Sequence, residues 1–241
     1  MSISRDRETV PALVEEYSRL LSFTAHELRT PASVVGGYLR MLQTDNNPAL
    51  SERQRTLVDH AARSCARLVE LIAEVSDVGK LDNHTAAVHV ETFDLFTDLV
   101  EVAAGCVEGR DRDVTFELTG SSSGAPITGD RQRLSAAFGA LFRALLREQG
   151  VPIAICAHRR IVHTSGQAAA VVVVAPASEV QRALDRPAAS FDERRGGMGL
   201  SLPIARRVIE LAGGRLWTPL PDTDADRGLK SSAVISIPLT G

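Results

Sequence analysis

The residues best suited to chemistry form the string His26-Glu27-Leu28-Arg29-Thr30-Pro31. A histidine side chain is a nucleophile near neutral pH, because its unperturbed pKa is about 6.5. A carboxylate directly after it can take its proton. We therefore interpret His26 as a phosphate acceptor with Glu27 as its own base. This pairing indicates phosphoryl transfer through a histidine.

The residues after Glu27 fit the same site. Arg29 can contact a phosphate or an acidic partner. Thr30 follows His26 by four residues, which places it one helical turn away on a similar face. Pro31 lies inside a helical pattern, where proline costs stability and leaves a backbone carbonyl without its donor. We expect it to bend the helix close to His26.

The site requires a long helix to position it, and the apolar spacing predicts two. One spans about 8–43 and the other about 50–80, with a turn cluster at 44–48 between them. Ser51 and Gln54 form a capping pair at the start of the second helix. Two helices joined by a short turn make an antiparallel hairpin, which leaves one apolar stripe exposed. We therefore expect a homodimer that closes a four-helix bundle.

The rest of the chain mixes strands and helices, which predicts a second domain of α+β type. Expected helices cover about 94–106, 130–148 and 199–212, and expected strands include 114–118, 152–158, 168–174, 215–217 and 232–238. The segment 121–126 reads as a loop. We divide the chain into a hairpin at 1–83 and an α+β domain at 84–241.

Composition excludes several classes of protein. The net charge of the 241 residues is −3, so a nucleic-acid or membrane-surface partner is not expected. The longest apolar run covers ten residues, 168–177, whereas a membrane span needs about 20. No secretory segment is visible at the start, so we expect a cytoplasmic protein. Three cysteines without metal or redox spacing indicate buried reduced thiols, and no metal site is expected.

Several short motifs of the sequence resemble motifs of the bacterial two-component sensor histidine kinases. The string from Phe23 to Pro31 is similar to their phospho-acceptor box, and Gly196-Gly197-Met198-Gly199 with the helix after it resembles the second glycine box of their ATP-binding domain. Similar words also occur at 93–95 and 129–134. The resemblance implies a dimerisation and phospho-acceptor hairpin followed by an ATPase-like α+β sandwich. It also implies that Glu27 orients the His26 ring and that Thr30 can place a water for dephosphorylating a partner.

The sequence departs from this family at the nucleotide. Two asparagines of the family, one of which helps to hold magnesium, correspond to Ala140 and Ala144. Arg143 and Arg147 add positive charge nearby. The family's first glycine box is an aspartate followed by glycines, and here the strand at 171–174 runs into Ala175 instead. The segment from Ala175 to Gly196, which corresponds to the ATP lid, is short. Phosphoryl transfer from ATP depends on positioning and on metal-assisted charge neutralisation, so these losses indicate a degenerate ATP site.

The sequence therefore predicts a histidine phosphotransfer protein that resembles kinase-like phosphotransferases with eroded ATP domains. His26 would carry a phosphoryl group between receiver-domain aspartates, such as one of an upstream hybrid kinase, with Gly196, Gly197 and Gly199 as remnants of nucleotide binding. No cofactor is expected in this reading. The alternatives are an active histidine kinase, which would use ATP and magnesium, a receiver phosphatase and a non-enzymatic adaptor.

Overall fold

The computed structural model describes residues 6–44, 50–82, 89–150, 152–164, 166–221 and 227–240. The chain divides into two compact units, Met1–Ala87 and Val88–Gly241. In the first unit, helix α1 spans Asp6–Thr44 and helix α2 spans Glu52–Asp82. None of the described helices is both long and apolar enough to cross a membrane.

Helices α1 and α2 pack against each other along small and β-branched side chains. Ala25, Ala32 and Ile72 are buried between them, and Val69 and Val75 pack against this cluster. Because Ala25 points into the hairpin, the next residue along α1 must point away from it. This packing sets which face of α1 carries the phosphate-acceptor string.

Local hydrogen bonds fix the start of α2 as the sequence predicts. The Ser51 backbone N–H donates to Gln54 Oε1 at 3.0 Å, and the Gln54 N–H donates back to Ser51 Oγ at 3.4 Å. This reciprocal pair is a capping box, and it satisfies N–H groups that the first helical turn leaves free. The turn cluster at 44–48 lies, apart from Thr44, outside the described residues.

The second unit alternates strands with helices. Its helices are α3 (Leu95–Ala104), α4 (Arg131–Arg147), α5 (Val180–Asp185), α6 (Ser201–Leu211) and α7 (Arg227–Lys230). Its strands are β1 (Val90–Asp94), β2 (Val114–Gly120), β3 (Pro126–Asp130), β4 (Ile153–Thr164), β5 (Gln167–Pro176), β6 (Ala188–Ala189), β7 (Arg215–Pro219) and β8 (Ala233–Pro238). The predicted α+β class is confirmed.

The strands form a large mixed sheet and a small one. The large sheet has the order β2-β4-β5-β8-β7-β6, with β2 parallel to β4 and the remaining neighbours antiparallel. The small sheet pairs β1 with β3 antiparallel. Strand β3 was not predicted: its sequence, Pro-Ile-Thr-Gly-Asp, reads as a turn and becomes a strand only by pairing with β1.

Both faces of the central strand β5 are buried. Side chains alternate across a strand, so Val172 and Val174 point to one face, and Val171, Val173 and Ala175 point to the other. The second face is covered by Ala183 of α5 and Leu229 of α7. The short segment that would correspond to an ATP lid therefore contributes a helix to this second core.

Candidate functional site

His26 lies on the solvent-exposed side of α1. Its side chain is 76% exposed and that of Glu27 is 62% exposed. Nδ1 of His26 is 3.6 Å from Oε1 of Glu27, which is longer than a hydrogen bond and within reach of one after a small rotation. The ring therefore presents Nδ1 to the carboxylate and Nε2 to solvent. The two residues are adjacent in sequence and also in space.

The neighbouring residues of the string are also accessible. Arg29 and Thr30 are exposed, and α1 continues without interruption through Pro31. Helix α1 is a single helix from Asp6 to Thr44, and the bend at Pro31 stays a prediction. Because Pro31 has no N–H, the carbonyl of Glu27 lacks its usual intrahelical donor.

A groove opens between α1 and α2 beyond the acceptor string. Its volume is about 380 Å³, and it is lined by Ala32, Ser33, Gly36, Arg40, Ala62, Cys65, Ala66 and Val69. Most of these side chains are small, which leaves room between the helix backbones. On the helical wheel, Ser33 and Arg40 lie on the same side of α1 as His26. The groove is therefore accessible from the side that carries the histidine.

An apolar stripe on the hairpin has no partner within the described chain. Leu28, Val35 and Leu42 repeat every seven residues on α1 and are about half exposed, as are Leu57 and Leu68 on α2. A seven-residue repeat of this kind packs against another helix pair. Two other apolar residues of α2, Cys65 and Ile72, are instead buried against α1.

In the second unit, the glycine string lies directly on α4. Gly196, Gly197 and Gly199 have φ values of 59°, 61° and 63°, a conformation that glycine adopts without strain. A Cβ atom built on Gly196 would lie 2.6 Å from Cα of Ala144 and 2.7 Å from its carbonyl oxygen. The glycine at this position is required for close packing of the loop on the helix.

The positions that match the family's asparagines are buried methyl groups. Ala140 is 4% exposed and Ala144 is 0% exposed on α4, a helix that packs against α6. At the end of β5, Ala175 is also 0% exposed. None of these three side chains offers an oxygen to a metal ion or to an adenine amino group.

Arg143 and Arg147 share a single carboxylate partner. Both guanidinium groups lie near the Glu108 carboxylate, at 3.8 Å and 3.7 Å. One carboxylate offsets only one of the two positive charges, so the expectation that these arginines add positive charge here stays a prediction. Glu108 follows α3 in the chain, and nothing in the local sequence pairs it with α4.

Arg195 fixes the glycine loop in place. Its side chain is 5% exposed, its Nη2 lies 2.6 Å from Oε2 of Glu148, and its Nε donates to both carboxylate oxygens. Nη1 donates to the carbonyl of Ser232 at 3.1 Å, and the guanidinium lies 5.5 Å from the Phe191 ring centre. This buried pair connects the glycine loop, the end of α4 and the residue before β8. Sequence reasoning missed it because the partners are 47 residues apart.

The three cysteines are free and buried, as the sequence predicts. Burial raises the pKa of Cys106 and of Cys156, so both thiols stay protonated near neutral pH. In the described part of the chain, histidine, cysteine and carboxylate side chains form no cluster that could hold a metal ion.

Residues 16–84 match the His Kinase A (phospho-acceptor) domain. The chain is 26% identical to the sensor protein DivL of Caulobacter vibrioides over 241 aligned residues. The alignment covers 98% of the chain and 30% of DivL. The signal transduction histidine-protein kinase BarA of Escherichia coli is 28% identical over 82% of the chain and 22% of its own length. The chain thus spans less than a third of either relative.

Solved structures resemble the fold of both units. The structure of full-length ShkA in complex with AMPPNP superposes on the chain with a TM-score of 0.66 and 19% sequence identity. The match covers 92% of the chain and 46% of the ShkA chain. The structure of the histidine kinase ThkA in complex with the response regulator protein TrrA superposes with a TM-score of 0.54, also at 19% identity. This match covers 98% of the chain and 64% of the matched chain. A helical hairpin followed by an ATPase-like α+β domain is therefore the shared architecture.

Proposed function

Since the chain belongs to the two-component sensor histidine kinase family, we propose that it is a histidine phosphotransfer protein that does not use ATP. One observation carries the proposal: the acceptor string is exposed and complete, while Gly196 of the nucleotide-binding loop is packed against buried Ala144. A phosphoryl group would reach His26 from the aspartyl phosphate of one receiver domain and leave to the aspartate of another.

The His26 geometry supports a defined transfer step. Nδ1 faces Glu27, so Nε2 is the nitrogen that attacks phosphorus, while the donor carboxylate leaves with the electrons of the broken P–O bond. The Glu27 carboxylate faces Nδ1 and takes its proton as the ring gains positive charge. In the reverse step a receiver carboxylate attacks phosphorus, the N–P bond breaks, and Glu27 returns the proton to Nδ1 so that neutral imidazole is released.

Several features of the second unit support the loss of ATP use. Ala140, Ala144 and Ala175 provide methyl groups where the family provides an amide or a carboxylate. The Arg195–Glu148 pair holds the glycine loop against α4, and α5 packs the lid-equivalent segment into the second core.

The hairpin supplies surfaces for the two proposed partners. The exposed stripe of Leu28, Val35 and Leu42 would pair with a second copy, giving a homodimer. The groove of about 380 Å³ between α1 and α2 would accept a helix of a receiver domain, because most of its walls are small side chains. ThkA, a structural neighbour, has been solved with a response regulator.

A two-step transfer assay tests the proposal. The purified protein is incubated with a receiver domain carrying labelled phosphoaspartate, and then with a second unlabelled receiver. We expect acid-labile label on the protein that moves to the second receiver. The variant His26→Gln should remain unlabelled, whereas the control variant His60→Gln, at an exposed histidine of α2, should behave as the original.

A parallel incubation with labelled ATP and magnesium separates the proposal from its main alternative. No label should appear on His26 from ATP alone. Labelling that requires His26 and occurs without any receiver would show an active kinase and overturn the proposal. A chain that binds receivers but never carries label would be an adaptor.

Receiver phosphatase activity is a second candidate, and Thr30 favours it. Its exposed side chain lies one helical turn from His26, where it could position a water. Thr30→Ala should then slow receiver dephosphorylation and leave label transfer to His26 unchanged. An equal rate in Thr30→Ala and the unmodified protein would remove this candidate.

A further inference from the structure

Strand β2 forms one edge of the large sheet. Within the described chain it pairs with β4 alone, in parallel register from Val114 opposite Ile153 to Gly120 opposite Arg159. None of the described residues forms a strand on its other side. An edge of this length presents backbone N–H and C=O groups that another extended chain can bind.

The register determines which residues face the open side. The Ser121 N–H donates to the Arg159 carbonyl at 2.9 Å, so the backbone groups of Ser121 face β4. Because the direction of the backbone N–H and C=O groups alternates from residue to residue along a strand, those of Thr119, Glu117 and Thr115 also face β4. The backbone groups of Phe116 and Leu118 therefore face outward, and they have no hydrogen-bond partner among the described residues.

A groove runs along this edge. It has a volume of about 390 Å³ and is lined by Ala103, Ala104, Cys106, Glu108, Arg110 and residues 114–118 of β2. The end of α3 forms its opposite wall. The groove lies beside the outward-facing backbone, where an added strand would be placed.

The side chains of β2 indicate which side chains an added strand should have. Phe116 points to the helix layer, where its ring centre lies 5.0 Å from that of Phe142, and it remains partly exposed beside Leu118. An apolar side chain opposite these two would complete the layer. On the other face, Glu117 is exposed and is the only charged residue of β2. An opposite charge across from it is favourable, and a like charge is not.

We propose that the open edge of β2 is a docking site for an extended segment of another protein, with alternating apolar and basic residues. The segment adds a strand to the sheet through the backbone groups of Phe116 and Leu118, with Lys or Arg opposite Glu117. This site belongs to the second unit, and its use does not depend on phosphotransfer at His26. A pair of these chains joined edge to edge would place two Glu117 side chains close together, which disfavours a second copy as occupant.

Model peptides test the site on the full chain. The probes are Ac-Lys-Val-Lys-Val-Lys-Val-NH2 and the same peptide with Glu in place of Lys. We expect the Lys peptide to bind and to slow hydrogen exchange of the Phe116 and Leu118 amides, while the Glu117 amide is unchanged. Equal binding of both peptides, or no binding up to about 1 mM, would overturn the proposal.

Two further comparisons show whether binding is by strand addition. N-methylation of either all the valines or all the lysines blocks one edge of the peptide, so one methylated form should lose binding and the other should keep it. Glu117→Lys should weaken binding of the Lys peptide by about threefold or more and strengthen binding of the Glu peptide. The control Glu91→Lys, on β1, should change neither. Retained binding in both methylated forms would show a contact that is not a strand.

Discussion

Gly196 lies so close to Ala144 that a Cβ atom on the glycine would be 2.6 Å from the alanine Cα. This contact joins the second glycine string to the helix that carries the family's asparagine positions. Ala144 is completely buried under it. A side chain at position 196 would therefore clash with α4.

Restoring the asparagines should therefore not restore ATP binding. Ala144→Asn should lower the free energy of unfolding by about 2 kcal/mol or more, because it places an unpaired amide in a packed site. The double variant with Ala140→Asn should still fail to bind ATP and magnesium in calorimetry. Ala136→Asn, at an exposed position of α4, is the control and should cost less than about 1 kcal/mol. Tight ATP binding by the double variant would contradict this account.

The Arg195–Glu148 pair should behave as a coupled unit. Arg195→Met leaves Glu148 without its partner, so we expect a loss of about 2–4 kcal/mol in unfolding free energy. Glu148→Gln in the same chain should recover part of that loss. Urea titrations of the two single variants and the double variant give the coupling energy, which we expect to exceed about 1 kcal/mol. Additive effects would show that the pair contributes little.

Glu27→Gln should slow phosphoryl transfer to His26 without unfolding the hairpin. The amide cannot take the Nδ1 proton, and general-base contributions are typically about 100-fold or more. The side chain is mainly exposed, so circular dichroism and the thermal midpoint should not change. Rapid-quench measurement of the labelled protein gives the rate. An unchanged rate would show that Glu27 is not the base.

Val35 and Val34 provide a matched test of the dimer. Both are valines with 51% exposure, but Val35 lies in the stripe with Leu28 and Leu42, and Val34 lies about 100° away around α1. Val35→Glu should give a monomer in sedimentation equilibrium, because it buries a charge in the predicted interface. Val34→Glu should leave the dimer intact. If both variants stay dimeric, the interface lies elsewhere.

Asp94 should make stability depend on pH. Burial alone raises the pKa of Asp94, but N–H groups of Thr97, Gly124 and Ala125 donate to its carboxylate at 3.0, 2.6 and 3.1 Å, and the net effect lowers the pKa. A lowered folded-state pKa stabilises the protein above the unfolded-state value of about 3.9, and this contribution is lost as the pH falls through the folded-state value.

Asp94→Asn should therefore destabilise the second unit by about 1–2 kcal/mol at pH 7, and the difference should shrink below about pH 4. Urea unfolding at several pH values measures it. Asp113→Asn is the control, since Asp113 is exposed and asparagine tolerates its φ of 55°. A constant difference between the two proteins from pH 3 to pH 7 would contradict this role of Asp94.

The sequence by itself determined the local features. The apolar spacing predicted α1, α2, α4 and α6, and the Ser51–Gln54 pair predicted a cap that the structure contains. The acceptor string and the missing asparagines were also readable, because they depend on residue identity at fixed short spacing.

Only the tertiary structure decided the features that depend on distant residues. Strand β3 exists because β1 pairs with it, Arg195 is buried because Glu148 lies beside it, and Arg143 and Arg147 lie beside the same Glu108 carboxylate. The register between β2 and β4 determines that the backbone N–H and C=O groups of Phe116 face the open edge of the sheet. Such contacts join segments far apart in the chain, and their formation depends on how the core closes rather than on local preference.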